Sequence, residues 1–549
     1  MPMLLLIATL VQSAAMRLRV SSPRMAASAS SASVLFVVPQ ADSVASPFGA
    51  TSPEPNPSWL AVAKQLAERL PGFDERLSST VVTEDDLLPF NELDRSYEAD
   101  VVVALGLKGS TASQIAPPLG SIAEEASALV SYDCGAEITA LTRVGKYSPA
   151  GGALQDLQAK LAPWDKVARG KRLCDQADLL LSRHSSEDLL YAIFFLVHEY
   201  ACELDIVRYT VNPTWEKGPI RNAQEFASMC TKCGDKIATA LTDPETKATI
   251  DLLNACDMRD QVGSYRVIVS YETPQLEDFS LCILQQNNCF GCDAKIIETP
   301  RVPLMQSWRG ETLDARAARQ LFIGHFKCDE AHPSAAQGLP WSWKIVCGAN
   351  PAYDAFPAQH QIFYPSAKSE NALWYDPVFK VETLDGRQVW TKRHYRCSPR
   401  KVAEDLAGPS GESHGAWTLS TLDNGVISKE HWTTVDAADD LSWAVFHYSG
   451  AAAVVGQSYL GALLCSADGQ WPESARSGPE FERIRSAFRK CAIEMFELYG
   501  HGPAEEGKSF MWTAEHQAWE ANNPPPLEPI GDQSVQAWRA SEKQKIAAS

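Results

Sequence analysis

Short stretches with the composition of β-strands recur between residues 341 and 466, and turn signals separate them. The clearest turns are Asp385-Gly386 and Asn424-Gly425, because these dipeptides favour the tight turns of β-hairpins. Eight short strands at this spacing predict an antiparallel up-and-down barrel, a fold that can enclose one small ligand. The predicted strands are Ser342–Cys347, Gln359–Tyr364, Ala372–Thr383, Arg387–Tyr395, Ala416–Leu422, Val426–Asp436, Ser442–Tyr448 and Tyr459–Ser466.

Tryptophan is concentrated in this predicted barrel, which contains seven of the 15 Trp residues of the chain. An interior rich in aromatic side chains suits a long apolar ligand. The same side chains could instead fill a barrel that has no cavity, and the pattern alone leaves both readings open. The seven residues are Trp341, Trp343, Trp374, Trp390, Trp417, Trp432 and Trp443.

Two predicted strands place polar groups where a ligand could lie. Strand periodicity puts Glu430 and Trp432 on one face, and on the next strand it puts Phe446 and Tyr448 on one face. A buried carboxyl beside a phenol would retain a proton in mildly acidic solution and could act as a general acid. If these faces point outward, the same residues are ordinary solvated strand positions.

Charge and composition limit the partners of the chain. The 549 residues include 49 basic and 68 acidic side chains, which gives a formal net charge of −19. This excess of acidic groups argues against a nucleic-acid partner, because a phosphate backbone requires a basic face. The length suggests about three domains, and no apolar run beyond the N-terminus reaches the length of a membrane span.

The N-terminal sequence predicts a targeting segment. Residues 1–15 resemble a secretory signal, with an apolar run followed by small residues at which a peptidase could cut. The next residues are rich in Ser, Ala and Arg, and no acidic residue occurs before Asp42, which is typical of a transit peptide. A signal peptide followed by a transit peptide predicts delivery to a plastid with extra membranes; a plain secretory signal with a Ser/Ala linker is the alternative.

Alternating strand and helix patterns predict a small parallel α/β domain after this segment. The predicted strands are Ser33–Val38, Asp100–Leu105 and Ala128–Tyr132. The loop at residues 106–110 matches neither a dinucleotide-binding nor a P-loop pattern, and we expect a tight turn there rather than a phosphate site.

Six of the 14 cysteines lie within residues 230–292, and two pairs have the C-x-x-C spacing. The pairs are too far apart for a compact zinc module, so three possibilities stay open: a disulfide-stapled subdomain, a long-range zinc site or a redox pair. Oxidising conditions along a secretory route favour disulfides, and we predict no metal site. The disulfide candidates are Cys230, Cys233, Cys256, Cys282, Cys289 and Cys292.

The run from Trp343 to Gln359 resembles the first two strands of the violaxanthin de-epoxidases, which are plastid lipocalins. Further motifs are similar to the violaxanthin de-epoxidase-related proteins of that family, and together they extend over roughly residues 225 to 500. These motifs are Leu304–Arg309, Leu321–Gly324, Phe379–Gly386, Leu422–Val426, Glu430–Trp432, Phe446–Ala452, Gly456–Tyr459 and Phe496–Tyr499.

The resemblance implies a lipocalin barrel that binds a xanthophyll and reductively removes its epoxide at acidic pH. Ascorbate would be the reductant, no tightly bound cofactor is expected, and peripheral contact with the thylakoid membrane is implied. By position in the family motifs, Glu430 and Tyr448 would be catalytic, with Glu in place of the family's Asp. The implied substrate-binding residues are Gln359, Trp432, Asp354 and Phe446, of which Asp354 would be structural or involved in the pH response.

Two other functions remain open at this point: a non-catalytic carotenoid-binding, photoprotective lipocalin, and an isomerase that converts an epoxide to an allene without a reductant. The predicted fold class is an α+β multidomain protein with an eight-stranded antiparallel lipocalin barrel, an N-terminal α/β domain and a Cys-rich helical segment. The predicted divisions are targeting segment 1–32, α/β and helical domain 33–215, Cys-rich segment 216–335, barrel 336–472, C-terminal helix 473–500 and flexible tail 501–549.

Overall fold

A computed structural model describes most of the chain after the targeting segment. It covers residues 31–40, 44–50, 52–88, 97–162, 165–181, 186–202, 204, 223–256, 261–327, 338–349, 359–369, 371–407, 414–499 and 512–548. The described residues form two compact units that divide near residue 206. The predicted targeting segment lies almost entirely outside the described residues, and the predicted domain boundaries remain predictions.

The first unit contains a sheet of five strands in the order β2-β1-β3-β4-β5. The first four run parallel, and β5 is antiparallel to β4. The sequence predicted β1, β3 and β4 but not β2, whose polar residues show that it is a partly exposed edge strand. The strands are β1 Ala32–Val38, β2 Leu77–Thr83, β3 Val101–Leu105, β4 Ala128–Tyr132 and β5 Arg143–Val144.

Helices alternate with these strands and then continue as a helical stretch. The predicted tight turn after β3 is present, with positive φ angles of 68° at Gly106 and 75° at Gly109. The side chain of Trp59 occupies the space where a Cβ of Gly106 would lie, so this position requires glycine. The helices are Trp59–Phe73, Glu84–Leu87, Gly109–Glu125, Ala136–Thr139, Gly152–Leu161, Lys166–Leu181 and Ser186–Tyr200, with a short 3₁₀ turn at Pro149–Gly151.

The second unit is built around a closed antiparallel barrel, as the sequence predicted. Its strands pair in the order β10-β12-β13-β14-β15-β16-β8-β9, and β9 pairs back with β10 to close the ring. A short hairpin precedes the barrel, and each of its strands has two residues, β6 Ser307–Trp308 and β7 Glu311–Thr312. The barrel strands are β8 Trp343–Gly348, β9 Gln359–Pro365, β10 Leu373–Glu382, β11 Gln388–Lys392, β12 Tyr395–Pro399, β13 Ala416–Asp423, β14 Val426–Ala437, β15 Ala444–Ala452 and β16 Gln457–Ser466.

Nine strand segments fill eight barrel positions because β11 and β12 share one position beside β10. The sequence predicted this position as one strand. The pairs Tyr375↔Tyr395 and Val378↔Lys392 continue one antiparallel register on both sides of the gap. The gap lies opposite Pro377, which has no backbone N–H to donate to the ladder.

Helices cover one part of the barrel's outer wall and one of its ends. Helix Gly478–Lys490 packs Ile484 and Phe488 against the outer side chains of β14, β15, β16 and β8. The Cys-rich segment reaches the barrel through Tyr265, which packs on Phe379 and bonds to Thr391. Its elements are Ala223–Thr242, Pro244–Ala255, Gln261–Ser270, Pro274–Ser280 and the π-helical turn Leu281–Gln286.

The Cys-rich segment contains one disulfide among its described residues, between Cys233 and Cys282. It connects helix Ala223–Thr242 to the π-helical turn, 49 residues further along the chain. The spacing left a disulfide, a zinc site and a redox pair open as possibilities. Cys233 and Cys282 form a disulfide in the structure. A cross-link over a loop of this length stabilises a segment mainly by restricting its unfolded state.

The C-terminal part differs from the sequence-based expectation of a flexible tail. Described residues 512–548 form helices Ala514–Asn522 and Val535–Ala548, and Trp512 and Ile530 are buried. The polar, proline-rich composition of these residues is typical of disorder. Their docking leaves no sign in the sequence, because tryptophans that pack on a distant surface create no local periodicity.

Among the helices that the structure describes, none combines the length and the apolar composition that a membrane span requires.

We expect Gly425→Ala to destabilise the second unit more than Gly386→Ala. Both glycines have positive φ angles, 74° and 81°, so alanine strains the turn at each by about 1–2 kcal/mol. At Gly425 a Cβ would also lie 2.6 Å from the carbonyl oxygen of Glu277, whereas at Gly386 it would meet open space. The added clash should lower the free energy of unfolding by a further ~1–3 kcal/mol. Denaturant unfolding of the full chain measures this loss. Equal losses in the two variants would contradict this contact.

Candidate functional site

The predicted acid pair lies inside the barrel. Trp432, Phe446 and Tyr448 belong to the buried cluster that fills the barrel, and Glu430 is only 4% exposed. Trp432 on β14 is the direct partner of Tyr448 on β15, and their rings stack with centroids 5.6 Å apart. The strand periodicity that put these side chains on common faces is thus correct, and the shared face is the interior one.

Two donors hold the carboxyl group of Glu430. The indole N–H of Trp432 donates to Oε2 at 2.7 Å, and the hydroxyl of Tyr459 donates to Oε1 at 2.7 Å. A buried carboxyl with both oxygens bonded has a fixed orientation, because rotating it would break two hydrogen bonds. The sequence did not predict Tyr459 as a site residue, and the structure adds it to the site.

Gly450 makes the bond between Tyr459 and Glu430 possible. Glu430 on β14 is the partner of Gly450 on β15, which in turn is the partner of Tyr459 on β16. A Cβ at Gly450 would lie 2.5 Å from the ring of Tyr459. The tyrosine therefore crosses over the glycine to reach the carboxyl two strands away, and any side chain at residue 450 would obstruct it.

Burial dominates the electrostatics of Glu430. The loss of hydration raises its pKa above the usual value, although the hydrogen bonds from Tyr459 and Trp432 act in the opposite direction. The neighbouring thiol of Cys397 is also buried, and its pKa is raised well above the ordinary value by burial and by the charge of Glu430. A carboxyl in this setting holds its proton at a higher pH than an exposed glutamate does.

Aromatic side chains surround Trp432 inside the barrel. Phe322, from helix Ala315–Ile323, enters the barrel, and its ring lies 5.1 Å from Trp417 and 6.4 Å from Trp432. The indole N–H of Trp343 bonds to the carbonyl oxygen of Leu321 at 3.0 Å and so holds this helix in place. An apolar ring system that enters the barrel would meet this aromatic wall beside Glu430.

The seven tryptophans of the barrel region divide between its two faces. Trp343, Trp417 and Trp432 belong to the interior cluster. The other four lie on the outer wall, one against helix Gly478–Lys490 and three near the C-terminal segment. The tryptophan count therefore reflects two separate packing surfaces and is not a measure of interior aromatic content alone.

The remaining predicted binding residues are Gln359 and Asp354. Gln359 is buried on β9, where it pairs with Phe379. Its neighbour two residues on, Gln361, accepts a hydrogen bond from the hydroxyl of Tyr375, whose ring lies 5.4 Å from that of Trp432. Asp354 lies outside the described residues. Among those residues, no three His, Cys, Asp or Glu side chains cluster as a candidate metal site.

We expect Glu430→Gln to change how barrel stability depends on pH. A carboxyl whose pKa is raised on folding binds its proton more tightly in the folded chain than in the unfolded chain. Its favourable contribution is therefore complete below the unfolded pKa and is lost as pH rises through the folded pKa. Denaturant unfolding between pH 4.5 and 7.5 measures the free energy of unfolding of both proteins. As pH rises, this free energy should increase in the variant relative to the wild type. The exposed-site control Glu404→Gln should show no such gain, and parallel profiles for Glu430→Gln and wild type would contradict a raised pKa.

A match to a known protein family extends over the whole barrel. Residues 225–498 match the family model of the VDE lipocalin domain. No curated protein matches the chain. The chain is 11% identical to lobster apocrustacyanin A1, with 36% of this chain and 87% of that chain covered and a TM-score of 0.20. For apocrustacyanin C1 the identity is 11%, the coverage 28% and 72%, and the TM-score 0.19.

The match to the VDE model begins in the Cys-rich helices and ends after the helix that packs on the outer wall. It thus includes the closed barrel, the disulfide and every member of the group around Glu430. Over residues 225–498 the chain belongs to the violaxanthin de-epoxidase-related lipocalin family.

Proposed function

We propose that the barrel binds a xanthophyll and that the chain removes its 5,6-epoxide with ascorbate as reductant. The observation that supports this most is the buried carboxyl of Glu430, fixed beside stacked Trp432 and Tyr448 rings inside a barrel of this family. A carrier needs apolar walls, whereas an oriented acid with a raised pKa serves proton transfer. The substrate, the plastid location and contact with the thylakoid membrane belong to the same proposal.

In the proposed reaction Glu430 supplies a proton to the epoxide oxygen. Both carbon–oxygen bonds break, the oxygen leaves as water, and a carbon–carbon double bond forms that extends the polyene. Ascorbate provides two electrons and, with the solvent, the two protons that the balance requires, and it becomes dehydroascorbate. Tyr448, whose ring stacks on that of Trp432, is the proposed second proton-transfer group.

A non-catalytic carotenoid-binding protein is the second candidate. Both oxygens of Glu430 already accept hydrogen bonds, an arrangement that stabilises the carboxylate against protonation. For catalysis, one of these bonds has to give way to the substrate. For a carrier, the same two bonds would simply satisfy a buried polar group.

The direct test is to incubate the purified mature protein with violaxanthin and ascorbate at mildly acidic pH and to separate the pigments by chromatography. Antheraxanthin or zeaxanthin would support the de-epoxidase. An allenic product that forms without ascorbate would identify an isomerase. Violaxanthin that is bound but unchanged, while a known de-epoxidase is active under the same conditions, would favour the carrier.

We expect Glu430→Gln to lower turnover by a factor of about 10²–10⁴, because it removes the proton and keeps the shape of the side chain. Pigment binding, followed by the absorption shift of the bound polyene, should stay within a few-fold of the wild type. Glu404→Gln is the control and should leave both quantities unchanged. Undiminished turnover in Glu430→Gln would exclude Glu430 as the acid.

A further inference from the structure

The C-terminal strap, defined as residues 512–532, lies along the outer wall of the barrel beside β8, β9, β10 and β11. At its first residue the indole N–H of Trp512 donates to the carbonyl oxygen of Ile345 at 2.8 Å. At its last residue the carboxylate of Asp532 accepts from the indole N–H of Trp374 at 3.1 Å. The strap is thus attached to the barrel at both ends.

Lysines of the barrel stack on tryptophans of the strap. The ammonium group of Lys344 lies 3.9 Å from the ring centre of Trp512, and that of Lys380 lies 4.6 Å from the ring centre of Trp519. These cation–π contacts attract the strap to the barrel, although burial lowers the pKa of both lysines from its ordinary value.

Backbone groups of the strap bind to a buried polar cluster further along the wall. The N–H of Ile530 donates to Asp376 at 3.0 Å, and the N–H of Gly531 donates to the hydroxyl of Tyr364 at 3.0 Å. The ring of His394 also bonds to Asp376, which is fully buried. Since the backbone amides of the strap satisfy part of this cluster, removing the strap leaves buried acceptors to be hydrated.

The contact between His360 and Glu520 contains an imidazole, a group whose ordinary pKa is about 6.5. Nε2 of His360, a buried residue of β9, lies 3.1 Å from Oε1 of Glu520 on the strap. Nδ1 of His360 has no hydrogen-bond partner among the described residues. A protonated imidazole needs an acceptor for each of its two N–H groups, and the docked arrangement supplies only one.

The surroundings of His360 oppose its protonation. Three tryptophans, Trp341, Trp390 and Trp512, pack their rings around it. The ammonium group of Lys344 lies 3.9 Å from the same carboxylate oxygen of Glu520 and competes for it. Burial, together with Lys344, lowers the pKa of His360 to about 4, although Glu520 acts in the opposite direction. Burial acts to raise the pKa of Glu520, but the hydrogen bond with His360 and the charges of His360 and Lys344 outweigh it, so this pKa is also lowered.

From this geometry we propose that the C-terminal strap is an acid-released clamp, in which protonation of His360 detaches residues 512–532 from the outer wall of the barrel. The docked strap excludes water from His360, whereas release exposes the imidazole and gives both of its nitrogens water as a partner. Other charged or titratable groups lie at this contact or along the rest of the strap. On the barrel side they are Lys344, Asp468, Lys380, Lys392, Asp376, Tyr364 and His394. On the strap they are Glu515, His516, Glu520, Glu528 and Asp532.

The sign of the effect follows from linkage. The pKa of His360 is about 4 when docked and returns toward about 6.5 when released, so the released form binds more protons between these values. Docking is therefore fully favoured above pH 6.5 and weakens as pH falls toward 4. Between pH 7.5 and pH 5 the ratio of docked to released strap should fall by about 30-fold for this single proton.

Hydrogen exchange of the full chain, corrected for the intrinsic pH dependence of exchange, measures this ratio. Protection of amides in the strap should fall by about 30-fold between pH 7.5 and pH 5. Strand β15, inside the same barrel, is the internal reference and should keep its protection. Unchanged protection of the strap, or an equal loss in β15, would overturn the proposal.

The variant His360→Gln keeps a donor for Glu520 and removes the titration, so its strap should keep its protection at pH 5. The matched control is His431→Gln, because the pKa of His431 is also lowered to about 4 by burial but its strand, β14, lies away from the strap. This control should retain the 30-fold loss. A strap in His360→Gln that still opens with acid would overturn the proposal. If that variant does not fold, His360→Asn takes its place, because it also removes the titration and keeps a side-chain N–H donor, and its strap should likewise keep its protection at pH 5.

Discussion

The hydrogen bond from Tyr459 to Glu430 is the interaction on which the interior of the barrel depends. It joins β16 to β14 across β15, and it exists only because Gly450 presents no side chain to the ring that passes over it. Without this donor, Glu430 would be a buried carboxyl that accepts only from the indole of Trp432 among the described residues, and its ionised form would be still less favourable. The register of three strands therefore places the donor that acts against burial on the pKa of this acid.

The rest of the interior is arranged around this fixed carboxyl. Trp432 is both a donor to Glu430 and the ring on which Tyr448 stacks, so it couples the polar group to the aromatic wall. Phe322 completes that wall from a helix outside the barrel, and the bond from Trp343 to Leu321 keeps the helix seated. A buried carboxyl thus lies among aromatic rings, which suits a ligand with an oxygen on an apolar ring.

Much of this could be predicted from sequence, and the limit lies in the range of the interactions. Alternation along one strand puts Glu430 beside Trp432, and it does so correctly because the period of a strand is a local property. The crossing of Tyr459 over Gly450 could not be predicted, since it depends on the register between strands, although a glycine within a strand was a usable signal. The docking of Trp512 was missed for the same reason, while a tryptophan in a polar, proline-rich tail was an available clue.

Acid acts on the two faces of the barrel wall in opposite directions. Inside, the pKa of Glu430 is raised by burial, so protonation relieves a buried charge and favours the folded barrel. Outside, the pKa of His360 is lowered by burial, so protonation creates a charge that the docked strap cannot accommodate. A fall in pH thus stabilises the barrel interior and, at the same time, weakens the docking of the C-terminal strap. The interior responds through a carboxyl with two donors, and the exterior through an imidazole with one acceptor. The same physical cause, loss of hydration, therefore gives opposite outcomes because one group is neutral and the other charged when protonated.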